Sequence, residues 1–127
     1  MDISKILQDI LSEQLVLDIK KNMDSAKNFG SRYGQDVEPK GTYVTVGHTT
    51  MSGYKNGKAV LQNPLFIDVD DNNLIEYKRE LSNKFKAKGL GLTKKLMTKG
   101  YDSLITRYSN GDFGEIVLFP NASFMLH

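Results

Sequence analysis

Apolar residues in this chain recur with two different periods, and the switches between them constrain the fold more than any other feature. Over residues 3–26, Ile3, Leu7, Leu11, Leu15, Ile19, Met23 and Ala26 recur at steps of four and then three, with Ile6, Ile10 and Leu17 widening the stripe. That spacing predicts an amphipathic helix, its solvated face carrying Asp2, Lys5, Asp9, Glu13, Asp18, Lys20 and Lys21. Gly30 and Gly34 offer the backbone freedom to stop it near Asn28 to Gly30. From Gly41 onward the period falls to two. GTYVTV (41–46) and KAVLQNPLFIDV (58–69) read as extended segments rich in β-branched and aromatic residues. Pro64 cannot donate to a ladder, so the second run is expected to form two short strands with a kink, or an edge strand. Between them, TTMSGYKNGK reads as a loop or hairpin around Asn56-Gly57.

A helical period then returns. DDNN (70–73) offers capping side chains before LIEYKRELSNKF, where Leu74, Tyr77, Leu81 and Phe85 share a face. Lys88-Gly89 breaks this helix, and LTKKLMTKG (92–100) predicts a short third one that stops at Gly100. YDSLITRY, a turn at Asn110-Gly111, and GEIVLFPNASFML complete the chain as strand, turn, strand and short strand. At 127 residues this order predicts a single α+β domain around a largely antiparallel or mixed sheet.

Composition removes several chemistries. There is no Cys, and the two His are His48 and His127, which excludes a disulfide framework, a thiolate nucleophile and a zinc site of soft ligands. Acids and amides interrupt the first apolar residues, so they make neither a signal-peptide core nor a membrane span; the expectation is a cytoplasmic protein with no membrane partner. Asp68, Asp70 and Asn72 have the opening spacing of a calcium loop, but Asn73 and Arg79 stand where Gly and Glu are needed. GLGLTKK (89–95) lacks the spacing of a phosphate loop and reads as a helix break. The net charge of +2 is small, yet residues 78–99 hold eight Lys or Arg and one acid, Glu80. This segment is either an ordinary solvated surface or a phosphate-binding face without an aromatic ladder for single strands.

NPLFIDV, GYDSLIT and GEIVLFPNASFML, in this order, together with FGSRYGQDVEPKGTYVT upstream, resemble the ADP-ribosyltransferase-like domains of phage and bacterial proteins. The resemblance covers roughly residues 29–126, dividing the chain into an N-terminal helix, 1–28, and a transferase-like domain, 29–127, packed as one unit. It implies a mono-ADP-ribosyltransferase that takes NAD as substrate and moves ADP-ribose to a macromolecular acceptor, a protein before a nucleic acid. If the chain is phage-encoded, it acts in the host cytoplasm. Breaking the nicotinamide–ribose bond develops positive charge on the sugar, where a fixed carboxylate is most useful. Glu115, at the start of an apolar strand, is the catalytic candidate. The resemblance assigns Arg32 to the dinucleotide, and Tyr43 and Thr45, on one strand face, to the cofactor site.

Family members that modify arginine carry Glu or Gln two residues before the key Glu, and Phe113 stands there instead, which argues against an arginine acceptor. The Ser-Thr-Ser strand of one branch is also absent. The alternative reading is a non-catalytic binding or virion-associated module of degenerate transferase fold. Such a module would use the first helix to hold a partner, or the 78–99 face to contact nucleic acid.

Overall fold

The computed structural model describes residues 14–23, 37–70 and 76–127. Among them run β1 (Leu15–Asn22), β2 (Thr42–Val46), β3 (Tyr54–Leu61), β4 (Pro64–Asp68), α1 (Glu76–Phe85), α2 (Leu90–Thr98), β5 (Ser103–Arg107), β6 (Phe113–Leu118) and β7 (Ser123–Leu126). The strands join one sheet in the order β4-β5-β6-β2-β1-β3-β7. Every pairing is antiparallel except β4 with β5, which are parallel and linked through the two helices. The architecture is a small α+β domain with a mixed sheet, as the order of periods predicts.

The sheet cannot be flat. β3 and β4 hold its sixth and first positions, yet only Gln62 and Asn63 join them. Such a link reaches about 11 Å, whereas five flat strand spacings would need about 24 Å. The sheet therefore curls until its two halves face each other. Ile19, Val44, Ala59, Leu61, Ile105, Ile116 and Leu118 fill the space between them as one buried cluster. On the outside of the β5, β6 and β2 half, α1 and α2 bury Tyr77, Leu81, Leu92 and Leu96 against Leu104, Val117 and Phe119.

The helix predicted over 3–26 is corrected where it can be seen: Leu15–Asn22 is a strand. Residues 3–13, 24–26 and the predicted stop at 28–30 lie outside the described residues. β1 pairs with β2 on one side and along its whole length with β3 on the other, so its backbone groups are satisfied by neighbours rather than by its own turn. Leu15, Leu17 and Ile19 face the inner cluster while Val16 and Asp18 are exposed, which is a two-residue period. The segment assigned to a separate N-terminal helix thus supplies a central strand.

A second correction concerns Asn56-Gly57, which lies inside β3; the chain turns earlier, at Ser52-Gly53. β2 and β3 flank β1 rather than each other, so no hairpin joins them. Instead the Asn56 side chain holds the connection, accepting from the Thr49 amide and donating to the Thr49 carbonyl. Gly57 is needed because β7 passes directly over it: a Cβ there would overlap the Met125 carbonyl oxygen. Gly57→Ala is therefore expected to detach β7, accelerating amide exchange from Met125 to His127 on the order of tenfold while β1 and β2 keep their protection. Uniform protection across all strands would contradict this placement.

The capping expected of residues 70–73 and the helix start at Leu74 lie outside the described residues, apart from Asp70; three further predictions agree with the structure. Pro64 opens an edge strand, Gly89 separates the two helices, and Asn110-Gly111 forms the β5–β6 turn with Gly111 at φ 92°.

Candidate functional site

Glu115 sits where the β5–β6 ladder slips by one residue. Ile105 pairs with Ile116 and Arg107 with Phe113, so Gly114 and Glu115 together face the single residue Thr106. A bulge of this kind re-aims a side chain and recurs beside functional sites. Thr106 fastens it by donating its hydroxyl to the Glu115 carbonyl at 2.8 Å. Gly114 leaves room for it, since a Cβ there would lie 2.8 Å from the Thr106 hydroxyl and 3.0 Å from the Tyr108 ring.

The bulge turns Glu115 toward α1, where it meets a polar cluster. The Tyr77 hydroxyl donates to Glu115 Oε2 at 2.5 Å, and Lys78 Nζ lies 3.5 Å from the same oxygen. Lys78 Nζ also donates to Glu38 Oε2 at 2.7 Å. The Lys78 side chain is 8% exposed and that of Glu38 15%, whereas Glu115 remains 38% exposed. The ammonium stands 5.5 Å from the Tyr43 ring centroid and 6.0 Å from that of Tyr77, within cation–π range. Among the described residues, both contacts of Glu115 fall on Oε2. One carboxylate oxygen is held by two partners, and the side chain keeps 38% of its surface exposed.

Glu38 reaches this cluster on a strap, residues 37–40, clamped between the helices and β2. Thr93 donates its hydroxyl to the Lys40 carbonyl at 2.8 Å, Gly89 N–H reaches the Val37 carbonyl, and Tyr43 donates to the Pro39 carbonyl at 2.5 Å. No buried side-chain nitrogen or oxygen among the described residues lacks a partner.

Burial first, then the charges of Glu38 and Glu115, push the Tyr43 hydroxyl well above the usual tyrosine range. Burial likewise raises Tyr77, with the Glu115 charge and hydrogen bond adding to it. Both groups hold their protons in the fold above the unfolded value near pH 10. Their contribution to stability is thus intact below about pH 10 and is lost as the pH rises from there toward the folded-state values, because the unfolded chain ionises first. An ultraviolet titration is expected to show Tyr43 and Tyr77 ionising only as the protein unfolds. Tyr43→Phe should flatten the alkaline loss of stability, and an unchanged slope would contradict this.

The sequence candidates fare differently. Glu115 is at the centre of the cluster. Tyr43 is there too, but it packs against the helix-side core with its hydroxyl committed to Pro39. Thr45 is exposed opposite Lys20 in the ladder, with no contact to the cluster among the described residues. Arg32 lies outside the described residues. Lys78, Glu38 and Tyr77 were not singled out as site residues by the sequence. For Lys78 a signal existed: it stands three residues before Leu81 and seven before Phe85, on the apolar stripe of α1 rather than its charged face. Glu38 had none.

No family model, curated protein or solved structure matches this chain. No helix among the described residues is long and apolar enough to cross a membrane.

Proposed function

We propose that this protein transfers ADP-ribose from NAD to a macromolecular acceptor, with Glu115 as the catalytic carboxylate. The observation that supports the reading is the half-locked state of that side chain. Oε2 is held by Tyr77 and Lys78, which fixes the group in one orientation, while no contact from a described residue falls on Oε1 and the side chain is 38% exposed. A carboxylate positioned before the reaction stabilises developing charge without reorganising, which is where most electrostatic catalysis originates. In the proposed step the bond from the ribose anomeric carbon to the nicotinamide nitrogen breaks, its electron pair leaving with neutral nicotinamide. Glu115 accepts a hydrogen bond from the ribose 2′-hydroxyl and faces the sugar cation. The acceptor nucleophile then bonds to the anomeric carbon and releases its proton to water. Arg32 serves the pyrophosphate in this reading, and Tyr43 acts from beneath by fixing the strap and the Lys78 ammonium.

The test is incubation of wild type and Glu115→Gln with labelled NAD and a cell lysate, beside a calorimetric NAD titration. Loss of one preorganised electrostatic group lowers such rates by about 100-fold or more, so labelling should fall by that factor while the variant stays folded. Equal labelling by both proteins, or no NAD binding at all, would remove the proposal.

A second reading is favoured by the mutual satisfaction of Lys78, Glu38, Glu115, Tyr43 and Tyr77. Here the cluster is a structural clasp between strap, helix and sheet in a non-catalytic binding module. That reading expects Glu115→Gln to change the unfolding midpoint and nothing else.

A further inference from the structure

The charge of the molecule is divided between two regions. Residues 78–99 carry eight cations and one acid, and the rest of the chain carries nine cations against fourteen acids, so a net +7 faces a net −5. In that segment Lys78 is buried and paired, while the seven other cations, from Arg79 to Lys99, are exposed on and around α1 and α2. The ion pairs among the described residues join Lys58 to Asp18, Lys78 to Glu38 and Glu115, and Arg107 to Asp68. None of the seven exposed cations is neutralised by a described carboxylate.

Three of them converge on one residue. Lys84 Nζ and Lys99 Nζ each lie 5.6 Å from the Phe85 ring centroid, and Lys95 Nζ donates to the Phe85 carbonyl at 2.8 Å. A single lysine suffices to complement the end of a helix; two ammonium groups at the Phe85 ring and a third at its carbonyl concentrate positive charge on this part of the surface.

We infer that the outer face of α1 and α2, centred on Lys84, Lys95 and Lys99, binds the phosphate backbone of duplex DNA. A duplex presents one charge per about 1.7 Å of axis, a dense row of anions that a patch of clustered cations complements. Single strands are bound through exposed aromatic rings, but Tyr77 is buried here and the Phe85 ring is flanked by two lysines. An anionic membrane is bound through cations plus inserted apolar side chains, and Leu90 is the one large apolar side chain exposed on these two helices. The surface does not involve Glu115 and stands independently of the NAD reading.

The test measures binding of the whole chain to a short DNA duplex between about 50 and 200 mM salt. The logarithm of affinity should fall against the logarithm of salt with a slope of about −3 or steeper. Lys84→Gln/Lys95→Gln/Lys99→Gln should weaken binding about tenfold or more at the low-salt end and reduce the slope by about two to three. Lys88→Gln/Lys94→Gln, which removes no recorded contact, should reduce it by about two. Lys20→Gln/Lys55→Gln, in the other half of the sheet, should leave it unchanged. The inference is overturned by absence of duplex binding, by equal losses in all three variants, by tighter binding to a single strand of the same length, or by binding to phosphatidylserine vesicles alone.

Discussion

Lys78→Met is expected to lower the stability of the fold by about 3–5 kcal/mol, the usual cost of removing one partner from a buried ion pair. The ammonium is 2.7 Å from Glu38 and 3.5 Å from Glu115, and two tyrosine rings close around it. Met preserves most of the apolar stem, so the loss is electrostatic rather than volumetric. Without the cation, the 15% exposed Glu38 carboxylate loses the ammonium that neutralises it, and Glu115 keeps only the Tyr77 hydroxyl among the described residues. The companion experiment is Lys78→Met/Glu38→Gln, in which the more buried carboxylate becomes a neutral amide. It should recover a large part of the loss, and the cycle of single and double variants isolates the coupling between the two residues. Denaturant unfolding provides the readout. A loss below about 1 kcal/mol for Lys78→Met, the range of exposed pairs, would mean that the cluster is solvated and does not hold the strap.

Asp102→Ala is expected to cost about 3 kcal/mol, because hydrogen bonds to a charged group contribute more than neutral ones and two backbone donors would lose their acceptor. Asp102 is 5% exposed. Its carboxylate accepts the Gln62 amide at 2.7 Å, the Asn63 amide at 3.2 Å and the Ser103 hydroxyl at 3.0 Å. Its own backbone adds two bonds, N–H to the Asn63 carbonyl and carbonyl to the Phe119 amide. Gln62 and Asn63 are the two residues that carry the chain from β3 to β4 across the curl. One residue thus ties the closing corner, through its side chain, to the start of β5 and, through its backbone carbonyl, to the end of β6. Asp102→Asn keeps one acceptor oxygen and should retain about half of the stabilisation. In Asp102→Ala, amide exchange should rise first at Gln62 and Asn63; a loss spread evenly over the sheet would contradict a local role.

Much of this architecture could be read from residue order, and the failures have physical causes. β2 alternates β-branched and aromatic residues after Gly41, and β5 and β6 are short apolar runs on either side of the Asn110-Gly111 turn, so local preference and tertiary demand agree. β1 was misread because Leu15 and Ile19, four apart, satisfy a helical and a two-residue period equally, and Leu17 was absorbed into the helical stripe. What decides the matter is the presence of β2 and β3 as hydrogen-bonding partners on both sides, which no local window contains. The curl was equally illegible, since it follows from the strand order combined with a two-residue link. At the site, Glu115 was found through its place at the head of an apolar strand. Its bulge depends on how two distant strands register and leaves no trace in either alone. Glu38 lies forty residues from Lys78, and nothing near it in sequence marks it as a partner.

The interleaving of early and late strands has a consequence for how the protein is made. β1, β2 and β3 all leave the ribosome before β5 and β6 and can pair among themselves, but the inner apolar surface they form, with Ile19, Val44, Ala59 and Leu61, is completed only by those later strands. Until Leu118 emerges to register against Thr42, the nascent chain displays a sticky half-shell with an unpaired edge. Acquisition of the native state should therefore be slow for a polypeptide of this size, and yield during expression should depend on chaperone supply.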